Sequence, residues 1–395
     1  MALEAEAQIP THPVEGEIVG IVVPRPLKGP LDYRVPQGMR LARGNIVAVP
    51  LGRGGDRALG IVWGPGEGTF DRARLKVVEH VYDVPPLAEN LLRFLAWVAS
   101  YVVAPIGEVI NLVLRAPDAL EPEREKKAIR LGAHPPQKMT DARARVLEVA
   151  SDGMARSLSE LAQTAGVTAQ VVNGLIKVRA LEEVALPHRP PPRPDPAFAE
   201  AKLSKAQAKA AAHMIKAVNA HRFEAMLLDG VTGSGKTETY FEAVAAALQA
   251  GKQALILLPE IALTVAFLDR FAKRFGCRPV EWHSDLTQAQ RRRNWRAVMN
   301  GDARVVVGAR SALFLPYGEL GLIVVDEEHD TAFKQEEGLI YHARDMAVVR
   351  ANIESCPIVL SSATPSLETW VNAESGRYAR LHLPERHGKA TLPEA

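Results

Sequence analysis

Cysteine is nearly absent: Cys277 and Cys356 are the only two in 395 residues. That is too few for a disulfide framework and cannot make a zinc module alone, and the thiols sit among apolar or basic neighbours, as in a reducing compartment. Neither sign of charge is in excess, with 48 Lys+Arg against 46 Asp+Glu. Any nucleic-acid binding must therefore come from local patches. Long apolar runs are lacking too. The most apolar stretch, Phe94–Gly107 "FLAWVASYVVAPIG", is shorter than the roughly 20 residues a membrane span needs. It contains Pro105 and reads as a buried helix. The opening "MALEAEAQIP" has no basic n-region and no apolar h-region, so no signal peptide is expected. A cytoplasmic chain with no membrane partner follows. With 47% hydrophobic residues, the chain can build the cores of two or three domains.

What is present falls into regions of different texture. Residues 1–117 carry short β-rich runs broken by Gly and Pro, "EIVGIVVP", "LDYRVP", "NIVAVPLG" and "ALGIVWG", the pattern of a small barrel-like β domain. In residues 118–186, "DARARVLEVASD" has helical spacing, and "SLSELAQTAGVTAQVVNGLIKVRALEEVAL" reads helix, turn at Gly166, helix, strand. This is a winged-helix-like module, a type that serves protein contacts as well as DNA. The proline-dense segment within 187–200 favours an extended linker. Residues 201–395 alternate strand and helix, with strands "AMLLDG", "QALILLP", "PVEWH", "RVVVGA", "GLIVVDEE" and "PIVLSSAT". Continuous apolar strands in a βαβ rhythm predict an α/β domain with a covered parallel sheet.

Gly230-Val231-Thr232-Gly233-Ser234-Gly235-Lys236-Thr237 fits G-x-x-x-x-G-K-[ST] between an apolar run and a helix-forming stretch. Its glycines let backbone N–H groups turn toward phosphate oxygens, and the helix N-terminus adds partial positive charge. Lys236 reaches the β- and γ-phosphates of ATP and the Thr237 hydroxyl ligates Mg²⁺. Chance would produce the pattern in a chain this long on the order of one per cent of the time. "LIVVDEEHD" places Asp326 at the carboxyl end of a buried strand, where ligands bind. Asp326 is expected to hold Mg²⁺, and Glu327 to orient and deprotonate the attacking water. A solvated acidic strand end is the plain alternative. "LSSATPSLET" ends a third strand in hydroxyls that sense the γ-phosphate, or cap a helix at Thr364 before Pro365. A kinase or transport ATPase also uses a phosphate loop, but it has less need for a second acid.

Taken together, "GVTGSGKTE", "LPEIALT", "GARSALFLP", "VVDEEHD" and "SSATPSLET" resemble motifs I, Ia, Ib, II and III of superfamily 2 helicases. More narrowly they resemble the PriA-type primosomal helicases, and "DEEHDTAFKQEEGLIYHARD" is closest to that family. "LDYRVP", "IVAVPLG" and "WVASYVVAPIGEVI" resemble its 3′ DNA-end-binding domain. The resemblance implies an N-terminal β-barrel-like DNA-binding domain, a winged helix and one RecA-like lobe. It implies an ATP- and Mg²⁺-dependent 3′→5′ DNA helicase that recognises stalled or branched forks and starts primosome assembly. Forked or single-stranded DNA with a free 3′ end, other primosome proteins, single-strand-binding protein and the replicative-helicase loading machinery are the implied partners, in a bacterial, nucleoid-associated setting.

Residue by residue, the resemblance makes Gln207 the adenine reader and couples His329, Ser362 and Thr364 between motifs. It places Thr264 and Arg310 on the DNA backbone. It puts Phe333, Lys334, Tyr341 and Arg344 in an aromatic-rich loop whose rings stack on bases, at about 1–3 kcal/mol per base. Core packing is the other role open to Phe333 and Tyr341. Asp32, Gly52 and Lys76 fall where the family recognises a free 3′ nucleotide. "QRRRNWR" (Gln290–Arg296) reads better as a solvated helix face with Trp295 turned to the core. The sequence departs from the family pattern at Ala309 and Val102. A second lobe with its arginine finger and a cysteine-rich zinc module are not found before Ala395. Zinc is expected only in a part beyond this chain, which reads as truncated after the first lobe. The alternative function is a fork-binding and loading module without motor activity.

Overall fold

The computed structural model describes residues 17–52, 54, 56–68, 72–114, 119–120, 127–185 and 190–385. The Val- and Ile-rich runs at the start become β1 (Ile18–Val22), β2 (Leu31–Arg34), β3 (Ile46–Leu51), β4 (Asp56–Pro65) and β5 (His80–Val81). They form one antiparallel sheet in the order β2-β1-β4-β3-β5, with a register shift between Gly20 and Ile21. Alternation divides the side chains between two faces. Val19, Ile21, Val47 and Val49 fill a small core on one face, while Val22, Ile46 and Ile61 join a larger core with α1 (Glu89–Tyr101).

The helix expected to run on to Gly107 stops at Tyr101. Val103 is 91% exposed with φ 54°, and α2 (Ile106–Ile110) starts afresh after Pro105. Proline has no N–H to donate to a continuing helix and disfavours the helical conformation of the residue before it.

Residues Pro122–Pro190 form a separate compact unit. It contains β6 (Lys127–Leu131), α3 (Asp141–Ala150), α4 (Leu158–Thr164), α5 (Ala169–Lys177) and β7 (Leu181–Ala185). β6, which the sequence reading did not anticipate, pairs antiparallel with β7. Thr140 and Ser157 cap α3 and α4 through their side chains, and Gly166 takes φ 59° between α4 and α5. Ile129, Val146, Leu161, Val172, Leu175 and Leu181 fill its core.

The other unit joins the first region to everything from Pro191 onward. Its elements from Lys205 are α6 (Lys205–Asn219), β8 (Ala225–Gly230), α7 (Lys236–Gln249), β9 (Gln253–Leu257), α8 (Val265–Phe275), β10 (Val280–Trp282), α9 (Gln288–Met299), β11 (Val305–Gly308), β12 (Leu320–Asp326), β13 (Lys334–Gln335), β14 (Tyr341–His342), α10 (Ala343–Glu354), β15 (Ile358–Ser362), α11 (Leu367–Glu374) and β16 (Ala379–Leu383). Seven strands make one parallel sheet, β10-β11-β9-β12-β15-β8-β16. β8, β9, β12 and β15 are buried at every residue, as helices on both faces require. The edge strand β16 was not anticipated. Its exposure alternates, so "ARLHL" lacks the continuous apolar run of the others.

The proline-dense linker is only partly a free spacer. Its residues 187–189 lie outside the described ones, as does the chain end from 386. From Pro192 onward it runs along the end of α8. The Asp195 N–H donates to Phe275 O (2.9 Å), Arg274 donates to Pro196 O (2.9 Å), and Phe198 lies against Gly276.

The β domain and the parallel-sheet lobe share one apolar core. Phe94 of α1 meets Phe314, with ring centroids 5.5 Å apart. The wholly buried Arg350 of α10 lies over Phe94 and Tyr317 and donates to the carbonyls of Leu313 and Leu315. From α9, Trp295 is buried and its indole N–H donates to Val113 O (3.0 Å), while Arg296 donates to Ala119 O and Leu120 O. A buried indole removed leaves both a cavity and an unpaired carbonyl. Trp295→Ala is therefore expected to destabilise this unit by about 3–5 kcal/mol. Trp295→Phe, which mainly orphans the Val113 carbonyl, should cost about 1–3 kcal/mol. Denaturant unfolding of the two variants checks the order.

Candidate nucleotide site and DNA-facing surfaces

Three neighbouring strands end together. β12 and β15 pair Asp326 with Ser361, and β15 and β8 pair Ser362 with Asp229. The parallel register thus brings the acid cluster, the Ser-Ser pair and the start of the phosphate loop to one sheet edge. A tight turn leads from β8 into α7. Gly233 and Gly235 take φ 81° and 79°, the left-handed region that favours glycine. A Cβ at Gly235 would stand 2.2 Å from Gln207 Nε2. Val231, Thr232 and Gly233 form the exposed crest, while Ser234 and Lys236 are buried.

Two observations fit a polyanion in this loop. The buried Ser234 hydroxyl has no hydrogen-bond partner among the described residues. Lys236 donates to Gly230 O (2.9 Å) from a buried position. Burial lowers its pKa from the usual lysine value, against the opposing pull of Glu327, Asp326 and Asp229. A buried ammonium with incomplete compensation is stabilised by phosphate charge.

Asp326 is braced from three sides. Its Oδ2 accepts from the Tyr240 hydroxyl (2.8 Å), and its Oδ1 accepts from Ser361 Oγ (2.7 Å) and the Glu327 N–H (3.1 Å). The Tyr240 hydroxyl also shares a hydrogen bond with the Thr237 side chain. The two residues expected to hold Mg²⁺ are thus joined through one buried phenol. Glu327 adopts φ 48°, a strained conformation for a residue with a side chain. Its pKa is raised by burial first and by Asp326 second, as suits a base that must accept a proton. Next in sequence, Glu328 is fully buried. Its carboxylate accepts from Arg344 (3.2 Å), the Ser366 N–H (2.7 Å), Ser366 Oγ (2.9 Å) and Thr369 Oγ1 (2.9 Å). His329 Nδ1 and Ser362 Oγ lie 2.8 Å apart, and the Thr364 N–H donates to Ser362 Oγ (3.0 Å). His329, Ser362 and Thr364 are therefore brought together.

Several expected roles need correction. Phe333 and Tyr341 are 1% and 4% exposed and lie in the apolar core, Tyr341 edge-on to Phe314; rings so enclosed cannot stack on bases. Arg344 is also buried, bound to Glu328, Asp345 and Ser366 Oγ, and has no face for a DNA phosphate. The helix cap after "SSATP" is Ser366, not Thr364. Gln207 is buried, donating to Ser234 O (2.8 Å) and accepting the Ser204 N–H in a capping box, so its amide supports the loop before any base is read. Thr264 caps α8 through its hydroxyl, at an exposed position. Arg310 donates to Ala332 O and Lys334 O, strapping the loop that follows the acid cluster. Lys334 is exposed beside Glu336.

In the β domain, Asp32, Gly52 and Lys76 line one pocket with Tyr33, Pro50 and Arg74. Lys76 donates to Gly52 O. Asp32 already accepts the N–H groups of Glu67 (3.0 Å) and Gly68 (2.9 Å), one on each oxygen, which leaves each oxygen further acceptor capacity.

Sequence comparison adds to this geometry. The family model for the 3′DNA-binding domain of PriA matches residues 20–115, and that for the DEAD/DEAH box helicase matches residues 204–372. Replication restart protein PriA of Rickettsia felis is 34% identical over 95% of the chain and 47% of its own length. The PriA of Haemophilus influenzae is 33% identical over 95% of the chain and 53% of its own length. The chain belongs to the PriA family. It spans about half the length of these relatives. Among solved structures, the helicase MrfA bound to DNA is 18% identical with a TM-score of 0.35 over 50% of the chain and 31% of its own. The Hef helicase domain of Pyrococcus furiosus is 19% identical with a TM-score of 0.34 over 46% and 38%. Within the family frame, the parallel sheet is a RecA-like helicase lobe. Among the described residues no helix is long and apolar enough to cross a membrane, and no cluster of His, Cys, Asp and Glu could hold a metal ion by protein ligands alone.

Sequence reasoning missed Tyr240, Ser361 and the partners of Glu328. Tyr240 stood in plain view in "GKTETY", three residues after Thr237 and hence on the same helix face, but a buried helical tyrosine looks like any core aromatic. A pH test follows from Glu327. Because its pKa is raised in the folded state, its proton stabilises the fold at low pH, and that contribution is lost as pH rises through the raised value. Glu327→Gln is therefore expected to raise the thermal midpoint at pH 7. The difference from the parent should vanish below about pH 4, as scanning calorimetry at the two pH values would record.

Proposed function

We propose that the chain provides the fork-binding and ATP-handling half of a replication-restart DNA helicase of the 3′→5′ type. The observation that carries this reading is the convergence of the phosphate loop, Asp326 with Glu327, and the Ser361–Ser362 pair on three adjacent strand ends, in a chain matched by the family's 3′DNA-binding domain. Mg²⁺·ATP, when bound, supplies the scissile phosphoanhydride and a cation that neutralises developing charge. Lys236 would draw the phosphate negative charge, and Thr237 and Asp326 would hold the metal. Glu327 orients a water and takes its proton onto the carboxylate. His329, bonded to Ser362, links the acid cluster to the third strand end, and Arg310 links the following loop to the surface carrying Thr264 and Lys334.

The DNA bound is a fork with an exposed 3′ end, whose terminal nucleotide occupies the pocket of Asp32, Gly52 and Lys76. The free lone pairs of Asp32 are suited to accept from a 3′ hydroxyl and repel a phosphate. Other primosome proteins, single-strand-binding protein and the helicase-loading machinery are the partners in a bacterial cytoplasm. A fork ending in a 3′ hydroxyl should bind at least about tenfold more tightly than the same fork ending in a 3′ phosphate, a difference of about 1.4 kcal/mol. Asp32→Ala should abolish the preference. Fluorescence anisotropy reads both, and equal affinity of the parent chain for the two forks removes end reading from the account.

A further inference from the structure

Tyr240 belongs to none of the roles assigned above, yet it occupies the junction between them. Its ring is fully buried, edge-on to Phe241 with centroids 5.3 Å apart. Its hydroxyl donates to Asp326 Oδ2 (2.8 Å) and is hydrogen-bonded by the Thr237 side chain. Thr237 is on the first turn of α7 and Asp326 at the end of β12, two elements that the chain separates widely. The phenol is the direct polar link between them, and the packing around its ring leaves it no other position.

We propose that Tyr240 is the positioning residue of the divalent-cation site: it holds the Thr237 hydroxyl and the Asp326 carboxylate in place before nucleotide and metal arrive. The inference rests on the reading of this edge as a Mg²⁺·ATP site. Three features support it. First, Asp326 has its Oδ1 taken by Ser361 and the Glu327 amide, so Tyr240 fixes the remaining oxygen and with it the carboxylate plane. Second, the hydroxyl can donate only one proton, and that proton goes to Asp326, so Thr237 must donate to the phenol oxygen. This turns the Thr237 oxygen lone pairs away from the phenol, free for a cation. Third, burial raises the phenol pKa well above its ordinary value, so the donor stays protonated at every pH at which the protein is folded. Ligand placement of this kind, fixed by partners behind the ligands, sets metal affinity by about 10- to 100-fold.

The test separates the cation from the nucleotide. A fluorescent ATP analogue is titrated into the parent chain and Tyr240→Phe, first with a chelator present and then against increasing Mg²⁺. Mn²⁺ binding to the nucleotide complex is followed in parallel by electron paramagnetic resonance. The expected result is equal nucleotide affinity without cation and a rise of about tenfold or more in the cation concentration at half-effect for Tyr240→Phe. The same rise is expected for Thr237→Val, which leaves the buried ring untouched and keeps the test open should Tyr240→Phe fold poorly. In the double variant the two effects should not add, because each breaks the same link. An unchanged half-effect in Tyr240→Phe, fully additive effects in the double variant, or an equal loss of affinity with and without cation would overturn the inference, the last by giving Tyr240 a packing role only. If the parent chain itself binds no nucleotide, the underlying Mg²⁺·ATP reading fails instead.

Discussion

A carboxylate placed at the end of a buried strand must be given donors or be expelled to solvent, and Asp326 satisfies that constraint with three. Each donor comes from a different element: Tyr240 from α7, Ser361 from β15, and the amide of Glu327 from the strained turn after β12. Much of the site is organised by this one requirement. It ties the phosphate loop helix to the acid cluster, fixes β15 beside β12, and makes Glu327 leave the strand with positive φ. The neighbouring Glu328 repeats the arrangement one layer deeper. It engages Arg344, Ser366 and Thr369, so that α10 and α11 are anchored to the same strand end.

These two networks explain how a site at one edge can be sensitive to what touches the other faces. The His329–Ser362 pair and the Arg310 strap over residues 332 and 334 are short, directed contacts between elements that carry different tasks. The β domain, for its part, is not a tethered neighbour of the lobe but shares its core through Phe94, Trp295 and Arg350. A ligand in the pocket of Asp32 and Lys76 therefore presses on the same packed body that carries the nucleotide site. Packed bodies transmit such strain because they have little free volume to absorb it.

Much of this was legible in the sequence, and the reasons for the gaps are physical. Six of the seven parallel strands announced themselves as apolar runs, because a strand covered on both faces can be nothing else. β16 did not, since an edge strand alternates. The phosphate loop was legible because its chemistry demands glycines at set spacing. The identity of the residues that brace the site was not, because Tyr240, Ser361 and Glu328 are ordinary residue types whose meaning lies in contacts across long stretches of chain. The same limit misassigned Phe333, Tyr341 and Arg344. An aromatic and basic loop beside an acid cluster looks like a stacking surface, and only the fold shows the rings turned into the core. The long apolar helix was overextended because its composition continues past Tyr101, while the backbone restriction imposed by Pro105 does not show in hydropathy.

The measurement that bears most directly on this account is a linkage cycle: the affinity of a fluorescent ATP analogue in Mg²⁺ with and without a saturating 3′-hydroxyl fork, and the affinity of the fork with and without saturating nucleotide. The account predicts that each ligand changes the affinity for the other by the same factor, as linkage requires of two sites in one coupled body, and that Lys236→Ala removes the nucleotide side of the cycle while leaving the fork bound. Nucleotide binding that is indifferent to both the fork and Lys236 would contradict it.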